Sequence, residues 1–207
     1  MKGALDIVLL KPHEDGIRSL LTQGAGAERS AYMLFGRADI QMDPWSRAPR
    51  TRLISHAFSN LDPADLISAS NRHVTWQTDG FMRLLGDALT DNLVPALVHT
   101  HPEGRAAFSE QDDQNEAILA RTALLKGAAG LISIVIAGNG EVAARIWMSE
   151  EKPVDITRIF HSGPRLKLDY DDDAEIAFLD RQTRLFGEHT TQMLTKFRCG
   201  IAGGGAT

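Results

Sequence analysis

The chain has 207 residues, 43% hydrophobic and 24% charged, with a net charge of −5. That length buries one substantial core with room for an appended piece, and the acidic balance offers no basic footprint for nucleic acid. A single cysteine, Cys199, excludes an intrachain disulfide framework and fits a reducing compartment.

The opening MKGALDIVLLKPHED carries an apolar run at 7–10 that is too short for a signal sequence and is broken by Asp6. No stretch approaches a membrane span, so the expectation is a cytoplasmic protein. Residues 15–22 (DGIRSLLT) place Ile17, Leu20 and Leu21 on one side of a short amphipathic helix. After a glycine-rich GAGAE loop, 30–40 (SAYMLFGRADI) and 51–58 (TRLISHAF) read as strands, with turn chemistry in DPWSRAP between them. The polar segment 59–80 reads as a connecting loop with a short strand, and its position also makes it a candidate substrate-gripping insertion. Residues 78–90 have helical spacing through Phe81, Leu84, Leu85 and Ala88.

NLVPALVHTH (92–101) is a continuous apolar run that suits a buried strand, with Pro95 at its start or at an irregularity. Residues 109–127 predict a helix, with Ser109 as N-cap, acids in the first turn and Gly127 past the end. Residues 131–148 predict two strands around Asn139-Gly140, a strong hairpin signal. LDYDDDAE (168–175) reads as a solvated linker, 176–197 as helical, and RCGIAGGGAT closes the chain on glycines. The fold class is α/β (α+β).

The stretch VHTHPEGRAAFSEQDD (98–113) carries the chemistry. Side chains alternate along a strand, so His99 and His101 share a face. Ser109 and Asp112, three residues apart, share the start of the following helix. Asp112 can supply a third ligand, and a His, His, Asp set leaves the fourth zinc position open to water. Such a water needs a base that is close without being a ligand. Glu103 and Glu110 flank the motif but read as solvent-facing, and Asp113 as first-turn charge only. Ser-x-x-Asp is also ordinary helix capping, and His-x-His alone is a weak signal.

Taken together, Glu28, then His99-Thr100-His101-Pro102, then Ser109-Glu110-Gln111-Asp112 resembles the signature of the JAMM (JAB/MPN-plus) metalloproteases, over roughly residues 1–160. The resemblance implies a JAB/MPN (cytidine-deaminase-like) fold, a curved mixed β-sheet flanked by helices. It implies Zn²⁺ on His99, His101 and Asp112, Glu28 as general acid/base, and Ser109 donating a hydrogen bond to the oxyanion. Glu14 is the runner-up for the base, in a KPHEDG context that reads as a surface turn. The activity implied is cleavage of a peptide or isopeptide bond after the C-terminal glycine of a ubiquitin-like protein, for precursor processing or deconjugation. The partners would be that protein and its conjugates. Family members that lack the metal ligands are scaffolds, so the alternative is a non-catalytic MPN-type module holding a ubiquitin-like protein or a partner subunit. A third reading is a zinc hydrolase of a small amide.

The carboxyl end carries a second resemblance. FLDRQTRLFG followed by RCGIAGGGAT is similar to the entry of a ThiF/MoeB-type ubiquitin-activating domain. In an intact domain Arg181, Gly203 and Gly205 would bind ATP; here no adenylation is expected, and the chain reads as a fragment of a longer fusion of the kind that resembles prokaryotic ubiquitin-like conjugation systems. An activating or conjugating enzyme of the same pathway is then a further expected partner. The expected organisation is a metalloprotease domain at 1–165, an acidic linker at 166–176, and the start of the activating-type domain at 177–207. Cys199 reads as a small buried hydrophobe. His13, His73, His161 and His189 read as loop or helix residues with no ligand spacing, and His56, on the 51–58 strand, as a surface or core histidine rather than a fourth ligand. Trp76 and Trp147 read as packing anchors. Phe108, directly before Ser109, is placed to wall the site.

Overall fold

Two apolar runs, at 94–101 and 131–137, are too continuous to leave a face for solvent, and both become central strands. Strands buried on both faces read this way because helices or loops cover each side. The computed structural model describes residues 4–22, 28–43, 47–61, 66–69, 74–76, 78–102, 104–164, 167–170, 184–185 and 187. In chain order the elements are β1 (Ala4–Leu10), α1 (Lys11–Thr22), β2 (Ser30–Ile40), β3 (Arg50–Asn60), β4 (Leu66–Ala69), β5 (Val74–Trp76), α2 (Thr78–Thr90), β6 (Val94–His101), α3 (Glu110–Leu125), β7 (Leu131–Ala137), β8 (Val142–Trp147), β9 (Val154–Asp155), β10 (Arg158–Ser162) and β11 (Lys167–Tyr170).

Nine of the strands form one mixed sheet in the order β11-β10-β1-β3-β2-β6-β7-β8-β9. β1 runs parallel to β10 and β3, and β6 parallel to β7. β2 is antiparallel to both β3 and β6, and β8 to β7. β4 and β5 pair separately as a small antiparallel ribbon. Among the described residues the fold is α+β: a mixed sheet with three helices, consistent with the JAB/MPN fold. The chain divides into two compact units, Met1–Asp169 and Tyr170–Thr207.

Alternation along the strands gives the sheet two buried faces. Ala31, Met33, Phe35, Ala96, Val98, Ile132 and Ile134 pack with Ile17 and Leu20 of α1 on one. Tyr32, Leu97, Leu131 and Trp147 pack with Phe81, Leu84 and Leu85 of α2 and Ala120 and Ala123 of α3 on the other. His99 and His101 have the parity of Leu97, so they emerge on the face that α2 and α3 cover.

Most expected elements appear within a residue or two of their predicted places. Ser109 caps α3, Gly127 follows it with φ +95°, and Gly140 turns the β7–β8 hairpin with φ +86°. Pro95 is the second residue of β6 and sits opposite Leu34. Other expectations change. The run at 7–10 is the end of β1, whose Ile7 and Leu9 are buried in the core. The 59–80 segment holds two short strands that pair with each other. β10, not foreseen, carries His161 into the interior. β11 enters the span read as linker; of the helical reading of 176–197, Arg184 and Leu185 are helical. Arg181, Cys199, Gly203 and Gly205 lie outside the described residues, as do Glu103, His73 and His189.

Far from the histidines, an interior charge cluster ties three segments together. Arg50 Nη1 donates to Asp6 Oδ1 at 2.5 Å and its Nε to Asp43 Oδ2 at 3.0 Å, all three residues being buried. Arg52 Nη2 adds a contact to Asp6 Oδ2 at 3.2 Å. Each buried carboxylate is therefore matched by a guanidinium, as interior charge requires.

At the other end of the sheet, Gly138 packs where β7 passes the end of β6. Its N–H donates to the His101 carbonyl at 3.1 Å. A Cβ at Gly138 would stand 2.1 Å from the Pro102 carbonyl oxygen, so only glycine fits. Gly138→Ala is expected to destabilise the fold by about 1–3 kcal/mol through overpacking. Gly86→Ala, exposed in α2 with nothing within 4 Å of the new Cβ, is expected to stabilise by about 0.5–1 kcal/mol. Urea denaturation of the two variants beside the parent checks both signs.

Candidate metal centre

The site begins with the pairing of β2 and β6. Ser30 lies opposite His99 in the antiparallel register. The pairing extends past the end of β2: Thr100 N–H donates to the Arg29 carbonyl, and Arg29 N–H to the Thr100 hydroxyl, both at 2.9 Å. One more step back along that register sets Glu28 opposite His101. Opposed residues in an antiparallel pair share a face, so Glu28, Ser30, His99 and His101 point the same way. Glu28 Oε1 comes 3.7 Å from His101 Nε2.

The third side is the start of α3. Ser109 and Asp112 form a capping box: Asp112 N–H donates to Ser109 Oγ at 3.2 Å, and Ser109 N–H to Asp112 Oδ2 at 2.7 Å. The Ser109 hydroxyl donates to the same Oδ2 at 2.8 Å. With Oδ2 held twice, Oδ1 faces the strand, 3.5 Å from His99 Nε2, while Oδ2 lies 4.0 Å from His101 Nε2. One ligand atom from each of His99, His101 and Asp112 falls within 4.8 Å of the others.

These residues fit a metal ion. Tetrahedral bonds of the usual zinc length put neighbouring donors about 3.4 Å apart, close to the 3.5 Å between His99 Nε2 and Asp112 Oδ1. His99 Nε2 is buried and has no hydrogen-bond partner within the protein, a costly state for a ring nitrogen unless something else binds it. His101 Nδ1 donates to the Arg105 carbonyl at 3.2 Å; a carbonyl only accepts, so this bond fixes the tautomer and leaves the Nε2 lone pair for the site. Burial, reinforced by His99, lowers the His101 pKa and favours the neutral ring. Burial also pushes Asp112 up, but His99 and the two Ser109 donors outweigh it and hold the carboxyl well below the usual range. Two imidazoles and one carboxylate are suitable ligands for a borderline cation.

Glu28 stands in different chemistry. Burial raises its pKa to about 7, His99 opposing and Asp112 adding to the rise. Glu14 does not join this group. It lies in α1, on the opposite sheet face, and is held by Arg18 at 2.8 Å and His161 at 3.0 Å. Glu110 is exposed, as expected.

Two features were not legible in the motif. Asp113 is more than first-turn charge: it accepts from Arg145 Nη1 of β8 at 2.5 Å. Arg145 Nε also donates to Glu116 Oε2 at 2.8 Å, and Trp147 Nε1 donates to that same oxygen at 2.8 Å. The available signal was one acid amid the alanines of a buried helix face and one arginine on an apolar strand. Phe108 does line the site, its ring centroid 6.1 Å from that of His99 in an edge contact, with the Arg145 guanidinium 3.8 Å over its face.

A family model described as prokaryotic homologs of the JAB domain matches residues 10–150. Among solved structures, the solution structure of protein DSY2949 from Desulfitobacterium hafniense is similar, with 16% identity, covering 75% of this chain and 92% of that chain at a TM-score of 0.49. No curated protein matches. None of these comparisons supports the activating-type reading of 177–207.

Glu28 generates a pH signature in the metal-free protein. Its folded pKa of about 7 lies above the ordinary value of 4.5, so the folded state holds the extra proton between the two. The group's stabilising contribution is full below the unfolded value and is lost as pH rises through the folded one. Glu28→Gln removes this loss. The stability of the variant relative to the parent is expected to grow from about pH 5 to pH 8, and a flat difference in urea midpoints across that range would show that Glu28 is not the raised group.

Proposed function

Because the chain belongs to the family of prokaryotic JAB-domain homologues, we propose that it is a zinc-dependent metallopeptidase. In this reading it cleaves the peptide or isopeptide bond after the C-terminal glycine of a ubiquitin-like protein. The observation that carries the proposal is the convergence of His99, His101 and Asp112 donor atoms within 4.8 Å, with the Glu28 carboxylate alongside at 3.7 Å from His101. The choice of substrate rests on the resemblance of the Glu28, His99-Thr100-His101-Pro102 and Ser109-to-Asp112 motifs to JAMM proteases.

A zinc ion on His99, His101 and Asp112 would supply Lewis-acid polarisation of the scissile carbonyl and a more acidic water. The protein residues do the rest. Glu28, with a pKa near neutrality, is matched to take a proton from the attacking water and return it to the departing amine. It stands opposite His101, 3.7 Å from Nε2, and the resemblance to the JAMM motif assigns it the role of base rather than ligand. Ser109 is the oxyanion donor. Its hydroxyl donates to Asp112 Oδ2, but its backbone N–H holds that oxygen too. The hydroxyl can therefore turn toward developing charge while Asp112 keeps one bond. His101 stays oriented through Arg105, so its Nε2 remains directed at the site.

The purified protein supplied with zinc is expected to hold one ion per chain by elemental analysis; no stoichiometric metal would leave a non-catalytic binding module as the better reading. Glu28→Gln should keep the metal and lose at least about 10²-fold in turnover, whereas His101→Ala should lose both. Comparing a ubiquitin-like protein extended past its terminal glycine with a small amide tests the substrate: equal kcat/KM for the two would overturn the ubiquitin-like assignment.

A further inference from the structure

We infer that Arg145 is a positioning residue that sets the geometry of the metal centre from outside it, an inference that rests on the metal-site reading above. Arg145 is buried on β8, two strands from the histidines. It makes three contacts that converge on the residues around Asp112. Its Nη1 binds Asp113, the residue after Asp112, at 2.5 Å. Its Nε and Nη2 each approach Glu116 Oε2, one helical turn on, at 2.8 Å. Its guanidinium plane covers Phe108, the residue before the Ser109 cap, at 3.8 Å from the ring centroid. Phe108 in turn meets the His99 ring edge-on.

The first turn of α3 is thus held from both sides of Asp112 by one side chain. A planar, permanently charged fork suits this role, because it binds two carboxylates and stacks on a ring at once. Trp147 locks the Glu116 end by donating to the same oxygen. With α3 pinned to the sheet in this way, the Asp112-to-His99 separation follows from Arg145, not from the helix cap alone. The cap fixes Asp112 within the helix; Arg145 fixes the helix against the strand.

Removing Arg145 alone strands Glu116 without its charge partner, so the test uses Arg145→Met together with Glu116→Gln. Co²⁺ titration of this double variant is expected to show at least about tenfold weaker binding, the usual effect of losing a partner that orients ligands. The visible absorption of the bound Co²⁺ should change with it. Arg145→Lys, which keeps the charge but not the fork, should recover only part of the affinity. Phe108→Leu, which removes no charged group but takes away the ring under Arg145, should alter the Co²⁺ absorption in a fully folded protein. A folded double variant with parental Co²⁺ affinity and spectrum overturns the inference.

A second readout needs no metal. In the metal-free protein the Asp112 and Asp113 amides, both bonded to Ser109, should exchange roughly tenfold faster in the double variant, relative to amides of the last turn of α3. Unchanged relative exchange overturns the positioning role even if the parent binds no Co²⁺. Failure of the parent to bind Co²⁺ would instead sink the metal reading by itself. If the double variant does not fold, Phe108→Leu carries the test: an unchanged Co²⁺ spectrum and unchanged first-turn exchange would count against Arg145.

Discussion

The register between β2 and β6 is the constraint from which the site follows. With Ser30 opposite His99, and Arg29 and Thr100 exchanging bonds beyond it, Glu28 has one place to go. A slip of one residue would turn Glu28 to the other face of the sheet and separate it from both histidines. The register is protected because the paired stretches, 30–35 of β2 and 94–99 of β6, are almost wholly buried and neither face can be exchanged for the other. Ala31, Met33, Ala96 and Val98 occupy one core; Tyr32 and Leu97 occupy the other. Hydrophobic packing along the strands therefore enforces a polar arrangement at their ends.

The opposite half of the site is set by different physics. Asp112 reaches the histidines because a helix starts there, and the helix starts there because Ser109 caps it. The capping box uses one carboxylate oxygen and leaves the other pointing at His99. Stability and ligand orientation are the same set of hydrogen bonds. The strand half is fixed by backbone pairing, the helix half by side chains, and Gly138 lets β7 close against the Pro102 carbonyl where the two halves meet.

Much of this was readable in the amino-acid order because it is local. Alternation over 98–101 puts His99 and His101 on one face, the cap puts Ser109 with Asp112, and both hold in the structure. Glu28 is different: its proximity depends on long-range register, and only the resemblance to a known motif brought it forward. β1 and β10 were missed because each pairs with partners distant in sequence, so no turn signal announces either. His161 shows the cost, reading as a loop residue while lying buried beside Glu14. Asp113 was misjudged, and Arg145 drew no reading, for the same reason. A charge on a strand and a charge on a helix reveal a bond only once the two elements are packed.

Interior charge divides the molecule into matched and unmatched groups. Asp6 and Asp43 face Arg50, Glu14 faces Arg18 and His161, and Glu116 faces Arg145. In each the carboxylates meet a guanidinium, as the expense of burying charge demands. The group formed by Glu28, His99, His101 and Asp112 departs from that pattern. Glu28 is shifted by burial first, then by His99 and Asp112, and Asp112 by burial, His99 and Ser109, with no lysine or arginine among the causes. Glu28 answers by holding its proton toward neutral pH, while Asp112 remains ionised against two rings of which one is lowered toward neutrality. Among the described residues this is the place where buried acids gather without a guanidinium or ammonium of the protein's own. A divalent cation would complete the balance there, so the charge pattern of the whole interior and the geometry of four side chains lead to the same site.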